Sequence, residues 1–129
     1  MFQKYTTKQD NERYKLLNAN KEDGFGGCTH YDFANIETLK TLVQKGYLDP
    51  HEAFNDSPYV SEFIEFMEKY PEFEAHGYIV DNERDDRRIS IEGVRGCPQS
   101  AEAAEAFEDM FHRADEFNTS EDEFYCWYD

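Results

Sequence analysis

Two sets of side chains in this sequence have the types and spacing to do chemistry. The first is a series of carboxylates at helical intervals: Glu62 and Glu65 in one segment, Glu102, Glu105, Asp109 and Glu116 in another. Residues three or four apart on a helix lie about 5–6 Å apart, similar in scale to the spacing of phosphates along a nucleic-acid strand. A rigid row of such carboxylates suits a basic groove built for a phosphate backbone, and complementary charge speeds association. These six residues are the candidate partner-binding face. A merely solvated helix face has the same pattern. The two readings differ in salt dependence, because binding through exposed charge is screened.

The second set is Cys28, His30, Cys97 and Cys126. Together they would make the Cys₃His set of a tetrahedral zinc site. Only Cys28 and His30 are close in sequence, and the usual two-to-four-residue gap between paired ligands is absent. Free thiols, buried or incidental, fit this spacing better, so no metal and no cofactor is expected. An odd count of 3 cysteines is not a secreted disulfide framework.

Catalytic patterns are missing. His51, His76 and His112 have carboxylates nearby, but with 29 Asp and Glu that is expected by chance. There is no serine elbow, phosphate-binding glycine loop or zinc-histidine pair. Gly24-Phe25-Gly26-Gly27 is too short and isolated for a nucleotide fingerprint, and no segment has calcium-loop spacing. The chain reads as a non-enzyme. Arg84, Arg87 and Arg88 could grip an anion, but Asp85 and Asp86 beside them favour local neutralisation around a turn.

Charge narrows the partner. Lys+Arg number 13 against 29 Asp+Glu, for a net charge of -16. Residues 47–75 carry -7 of it and residues 99–129 carry -9. Such a chain repels DNA, RNA and anionic membranes and attracts basic protein surfaces. The expected partner is a basic protein surface, such as that of a nucleic-acid-binding protein, with no direct nucleic acid and no membrane contact. Met1-Phe2-Gln3-Lys4-Tyr5 lacks the apolar stretch of a leader, and no apolar run reaches spanning length. The cytoplasm is the expected location.

The elements that must position these groups can be read from periodicity. Length fits one domain over residues 1–129. Residues 1–19 suit a short helix or strand, and residues 20–31 a loop. Asp32 can cap a helix through about Gln44, with Phe33, Ile36, Leu39, Leu42 and Val43 inward and Gly46 ending it. A short helical turn is expected near His51–Phe54. Ser57 as N-cap and Pro58 behind it open a helix to Tyr70, and Pro71 stops it. Glu74–Val80 and Arg88–Val94 form a β-hairpin, with Ile89 and Ile91 alternating with Ser90 and Glu92. A lone hairpin is marginal, so Leu16–Ala19 or Phe124–Tyr128 must add a strand. Ser100 caps a helix to about Phe117, with Ala103, Phe107, Met110, Phe111, Ala114 and Phe117 inward. The aromatic tail Phe124, Tyr125, Trp127 and Tyr128 is expected to dock. The fold class is α+β: three main helices on a small antiparallel sheet containing a hairpin at about 74–94.

Between about residues 37 and 94, several short pieces look familiar. They are Gly46-Tyr47-Leu48-Asp49, Ser57-Pro58, Glu62-Phe63, Phe66-Met67, Tyr70-Pro71, His76-Gly77-Tyr78 and Arg88-Ile89-Ser90-Ile91-Glu92-Gly93. This pattern resembles small uncharacterised proteins from plasmids, phages and integrated elements of Gram-positive bacteria. Anti-CRISPR and anti-restriction proteins come from that setting. The resemblance implies a mobile-element context and transfers no functional residue. The sequence thus leads to a non-enzymatic acidic protein that binds protein, in its sharpest form a nucleic-acid mimic inhibiting a host defence nuclease. The alternative is a small interaction or regulatory module whose acidity serves only solubility, with contacts from Tyr59, Trp127 or Tyr128.

Overall fold

The computed structural model describes residues 4–129. The reading of the first five residues for a leader falls partly on residues 1–3, outside the described residues. Thr6 opens helix α1 (Thr7–Leu16): its hydroxyl accepts from the Gln9 amide, and Gln9 Oε1 accepts from the Thr6 amide. This reciprocal cap satisfies two donors the helix leaves over. It fixes as helix a segment whose sequence suits helix or strand. Leu16–Ala19, one candidate third strand, instead ends this helix.

A tight turn follows. Gly26 and Gly27 both take positive φ, 64° and 81°, and Phe25 and Cys28 exchange both main-chain hydrogen bonds across them. Two left-handed residues match the twist of a hairpin. The turn launches strand β1 (Cys28–Ala34), where the sequence suggested loop and then helix. Asp32 and Phe33 therefore lie in a strand, and Asn35 caps α2 (Ile36–Gln44), accepting from the Thr38 amide at 2.9 Å. Gly46, at φ 81°, follows as expected and lets Tyr47 bond back to the Leu42 carbonyl.

The next segment holds a single turn at Pro50–His51, closed by the Glu52 amide on the Asp49 carbonyl, in place of a helical turn at His51–Phe54. Helix α3 (Val60–Lys69) starts two residues later than Ser57-Pro58 suggests. The reason is tertiary: the Val60 and Ser61 amides bond the Glu52 and Pro50 carbonyls, so loop oxygens replace a serine cap. Ser57 Oγ instead closes a turn with Phe54 and Pro58.

Strand β2 (Glu74–Val80) pairs with β3 (Arg88–Ile89) and β4 (Gly93–Gly96), so the hairpin is present with its second strand split. Helix α4 (Ala101–Phe111) is capped by Ser100 as expected but ends six residues before Phe117. Residues beyond it form β5 (Glu116–Thr119), which pairs with β6 (Phe124–Trp127). The tail does supply a strand. Four α-helices and a six-stranded antiparallel sheet, of order β1-β2-β4-β6-β5 with β3 off that path on β2, thus make an α+β fold among the described residues. No helix among them is long and apolar enough to cross a membrane.

A single core joins the helices to one face of the sheet. Leu39, Leu42, Phe63, Met67 and Phe107 meet Ala75, Ile79, Ile91, Val94 and Cys126 there, all 0% exposed. Tyr14 and Leu17, at the end of α1, complete it. Alternate strand residues point the other way, as the pleat requires. His30, Asp32, Tyr78, Arg95, Tyr125 and Trp127 share this second face, and none of them is buried.

Candidate docking groove and the opposite sheet face

Helices α3 and α4 are amphipathic and lie side by side. Phe63 stacks on Phe111 at 5.6 Å, and Phe66 meets the same ring edge-on at 5.0 Å. Such aromatic contacts have preferred geometries and set the helix pair firmly. With those faces buried, the outward residues of the two helices face one another across a groove of ≈ 440 Å³. Phe66, Tyr70, Ala106 and Met110 form its apolar lining, and Glu62, Glu65 and Asp109 supply the carboxylates. Lys69 is the one cation among the described residues lining it.

The candidate face is thus partly assembled. The structure brings Glu62, Glu65 and Asp109 to one groove. Glu102 and Glu105 are exposed on α4 but do not line it. The Tyr70 phenol is raised by burial and by the nearby charges of Glu102 and Glu72, so Glu102 adds to the field at that end. Glu116 is a correction: it lies on β5, paired with Trp127, because α4 stops at Phe111.

Some acids elsewhere are matched. Asp10 meets Arg13 and Lys21, Asp86 meets Arg84 and Arg88, Glu68 meets Lys40, and Glu123 and Asp32 meet Arg95. Among the described residues, Glu62, Glu65, Glu102, Glu105 and Asp109 take part in no ion pair. The ion pairs among the described residues lie on other surfaces, and three carboxylates face the single cation Lys69 here. An excess of one sign of charge over a low-dielectric wall focuses the field outward.

The arginine loop closes on itself. Arg84 grips Asp86 through two bonds of 2.8 Å and donates to the Gly26 carbonyl, tying the loop to the β1 turn. Arg87 donates to the Asn82 carbonyl.

The four metal candidates are not gathered. Cys126 is buried in the core, its thiol pushed up to about 12 by burial. Cys97 is exposed and donates to the Asp122 carbonyl, Cys28 accepts from Arg84, and His30 lies beside Asp32 on the other sheet face. Among the described residues no group of three or more His, Cys, Asp or Glu side chains is placed to hold a metal ion.

Sequence reasoning did not find the polar cluster on the second sheet face. His76 stacks flat on Tyr125 at 5.0 Å, and His30 sits 6.0 Å from His76 and 5.2 Å from Tyr78. Arg95 lies between the Phe33 and Tyr125 rings and binds Glu123 and Asp32, joining β1, β4 and the residue before β6. Glu92 is buried at 8% exposure and accepts from Ser90 Oγ and Trp127 Nε1. Alternation in β1 and β2 carried the signal, but only the pairing shows that the residues meet. Of the aromatics weighed as contacts, Tyr59 is 55% exposed, Trp127 half-buried and Tyr128 only 4% exposed, packed on Phe63. Tyr128 is thus part of the core and is withdrawn as a contact.

Comparison with protein-family models, with curated proteins and with solved structures returns no match for this chain.

Proposed function

We propose that this chain is a non-enzymatic binding protein that presents the carboxylate-bearing face of α3 and α4 to a basic surface on a partner protein. One observation carries the reading: Glu62 and Glu65 of one helix and Asp109 of the other meet at one groove, with no ion pair to any of them among the described residues. In its most specific form, the face stands in for a phosphate backbone and inhibits a nucleic-acid-binding protein of a host defence system, in the manner of anti-CRISPR or anti-restriction proteins. The net charge of -16 and the mobile-element resemblance support that form, and a cytoplasmic partner belongs to it.

The test is affinity capture from a Gram-positive lysate with the native chain and with Glu65→Lys, Glu105→Lys and Asp109→Lys combined. Glu62 is spared because its carboxylate also accepts from the Tyr59 amide. The expected result is a nucleic-acid-binding protein that elutes from the native chain as salt rises, is lost from the variant, and is displaced by its own DNA or RNA. Identical captured sets would overturn the reading.

A second reading has its own observation. Phe33 stands 66% exposed against Arg95, which also lies over the Tyr125 ring, and the half-buried Tyr78 and Trp127 share the sheet face away from the core. A small interaction module using that face, with acidity serving only solubility, would hold its partner through high salt and ignore the helix reversals.

A further inference from the structure

Charge alone does not account for the lining of the α3–α4 groove. A surface that only copied a phosphate backbone would need carboxylates and nothing beneath them. Here Glu62, Glu65 and Asp109, with Lys69, share the lining with Phe66, Tyr70, Ala106 and Met110. Phe66 is only 5% exposed and held by Phe111, Phe73 and Tyr70, so its ring is a fixed surface. Ala106 leaves room on the α4 side, and Met110 is a flexible thioether that adapts to an inserted group. Apolar surface with carboxylates at its margins complements a helix that carries its own apolar residue between cations.

We infer that the groove receives a basic amphipathic helix of a partner protein, one bulky aliphatic or aromatic residue entering between α3 and α4. Lys or Arg residues one turn away on either side then reach Glu62 and Glu65 on one wall and Asp109 on the other. An acidic helix is repelled by those same carboxylates, and a neutral one lacks their attraction. This inference rests on the reading of the acidic face as a docking surface and adds an anchor to it. The apolar residue supplies the tight part of the binding, and the flanking cations supply approach and orientation.

Two synthetic helical peptides of equal length and charge test it on the full chain. One pairs Lys with Leu at helical spacing, and the other replaces each Leu by Gln. The Leu peptide is expected to bind at least about tenfold more tightly, the effect of burying one large apolar side chain. Ala106→Phe fills the groove and is expected to bring the two affinities together. In methyl spectra of the native chain, Met110 is expected to shift on adding the Leu peptide while Met67, 0% exposed, does not. An advantage that survives Ala106→Phe, or a Met110 signal that does not move, overturns the groove. Equal binding of both peptides to the native chain overturns the anchor and leaves the acidic-face reading standing. Failure of both to bind at low salt overturns the two together.

Discussion

The imidazole Nε2 of His76 lies 2.8 Å from the main-chain oxygen of Cys126. A carbonyl oxygen only accepts, so Nε2 carries the proton. The β4–β6 ladder pairs Arg95 with Tyr125 and Gly96 with Phe124, and His76 satisfies the Cys126 carbonyl next to it. Unsatisfied, that buried oxygen would cost about 1–3 kcal/mol. The ring is 1% exposed, and burial pulls its pKa from 6.5 to about 4. The unfolded chain therefore takes up this proton first as pH falls. Stability from this residue is complete above about 6.5, declines through the window, and levels off below about 4. The loss is on the order of 3 kcal/mol. Asp81, held low by the Glu83 amide, and Asp86, held low by Arg84, give way only further down. Urea midpoints across this range are expected to show a slope that His76→Gln, which retains a donor, reduces by up to about one proton. An unchanged slope would show that His76 does not titrate this way.

Gly93 makes that bond possible. A Cβ at Gly93 would collide with the Cys126 carbonyl and lie 2.5 Å from His76 Nε2. Neither atom has anywhere to move, since one is backbone and the other is locked between it and the Tyr125 ring. Gly93→Ala is expected to cost about 3 kcal/mol or more, measured by denaturant unfolding. At Gly46, where nothing lies within 4 Å of a new Cβ, the cost of Ala is confined to the left-handed backbone, about 1 kcal/mol.

The close approach of Gly93 to Cys126 and His76 also marks what the sequence hides. The spacing of Phe63, Phe66, Met67 and Tyr70 announced α3 because both faces of that helix follow one period. The same rule overran α4, since Phe107, Met110, Phe111, Ala114 and Phe117 continue at helical spacing after the helix has ended. Phe117 still reaches Phe107, stacking at 5.5 Å, but from a strand. Strand β1 was illegible for a different reason: its partner is β2, far along the chain, and non-local pairing outweighs a local cap such as Asp32. The carboxylates of the groove could be read one helix at a time. Their apposition depends on Phe63 and Phe66 meeting Phe111, and no periodicity states that two helices are neighbours.

The three thiols should separate cleanly by reactivity. Thiolate is the reactive form. Cys97 is exposed, Cys28 intermediate behind Arg84, and Cys126 buried with its thiol pushed up to about 12. With a chromogenic disulfide reagent at neutral pH, Cys97 is expected to react first and Cys28 more slowly. Cys126 should react only once the chain unfolds. Fast reaction of all three in the native state would show that β6 opens readily from the sheet.

Glu62 has two roles that a pair of substitutions separates. Its carboxylate accepts from the Tyr59 amide at 2.9 Å, closing the first turn of α3, and it also lines the groove. Gln at this position can still accept from that amide, although it loses the favourable charge at a helix N-terminus. Lys can do neither. Glu62→Gln is expected to cost only a few tenths of a kcal/mol in stability, and Glu62→Lys about 1 kcal/mol or somewhat more. Binding orders them differently. The neutral variant weakens a basic partner modestly, because one of three carboxylates lining the groove is lost, and the cationic variant weakens it strongly through direct repulsion. Thermal unfolding and partner affinity measured on the same preparations distinguish the roles. If affinity simply tracks stability across the pair, Glu62 acts as a helix cap alone, and the docking face is left to Glu65 and Asp109.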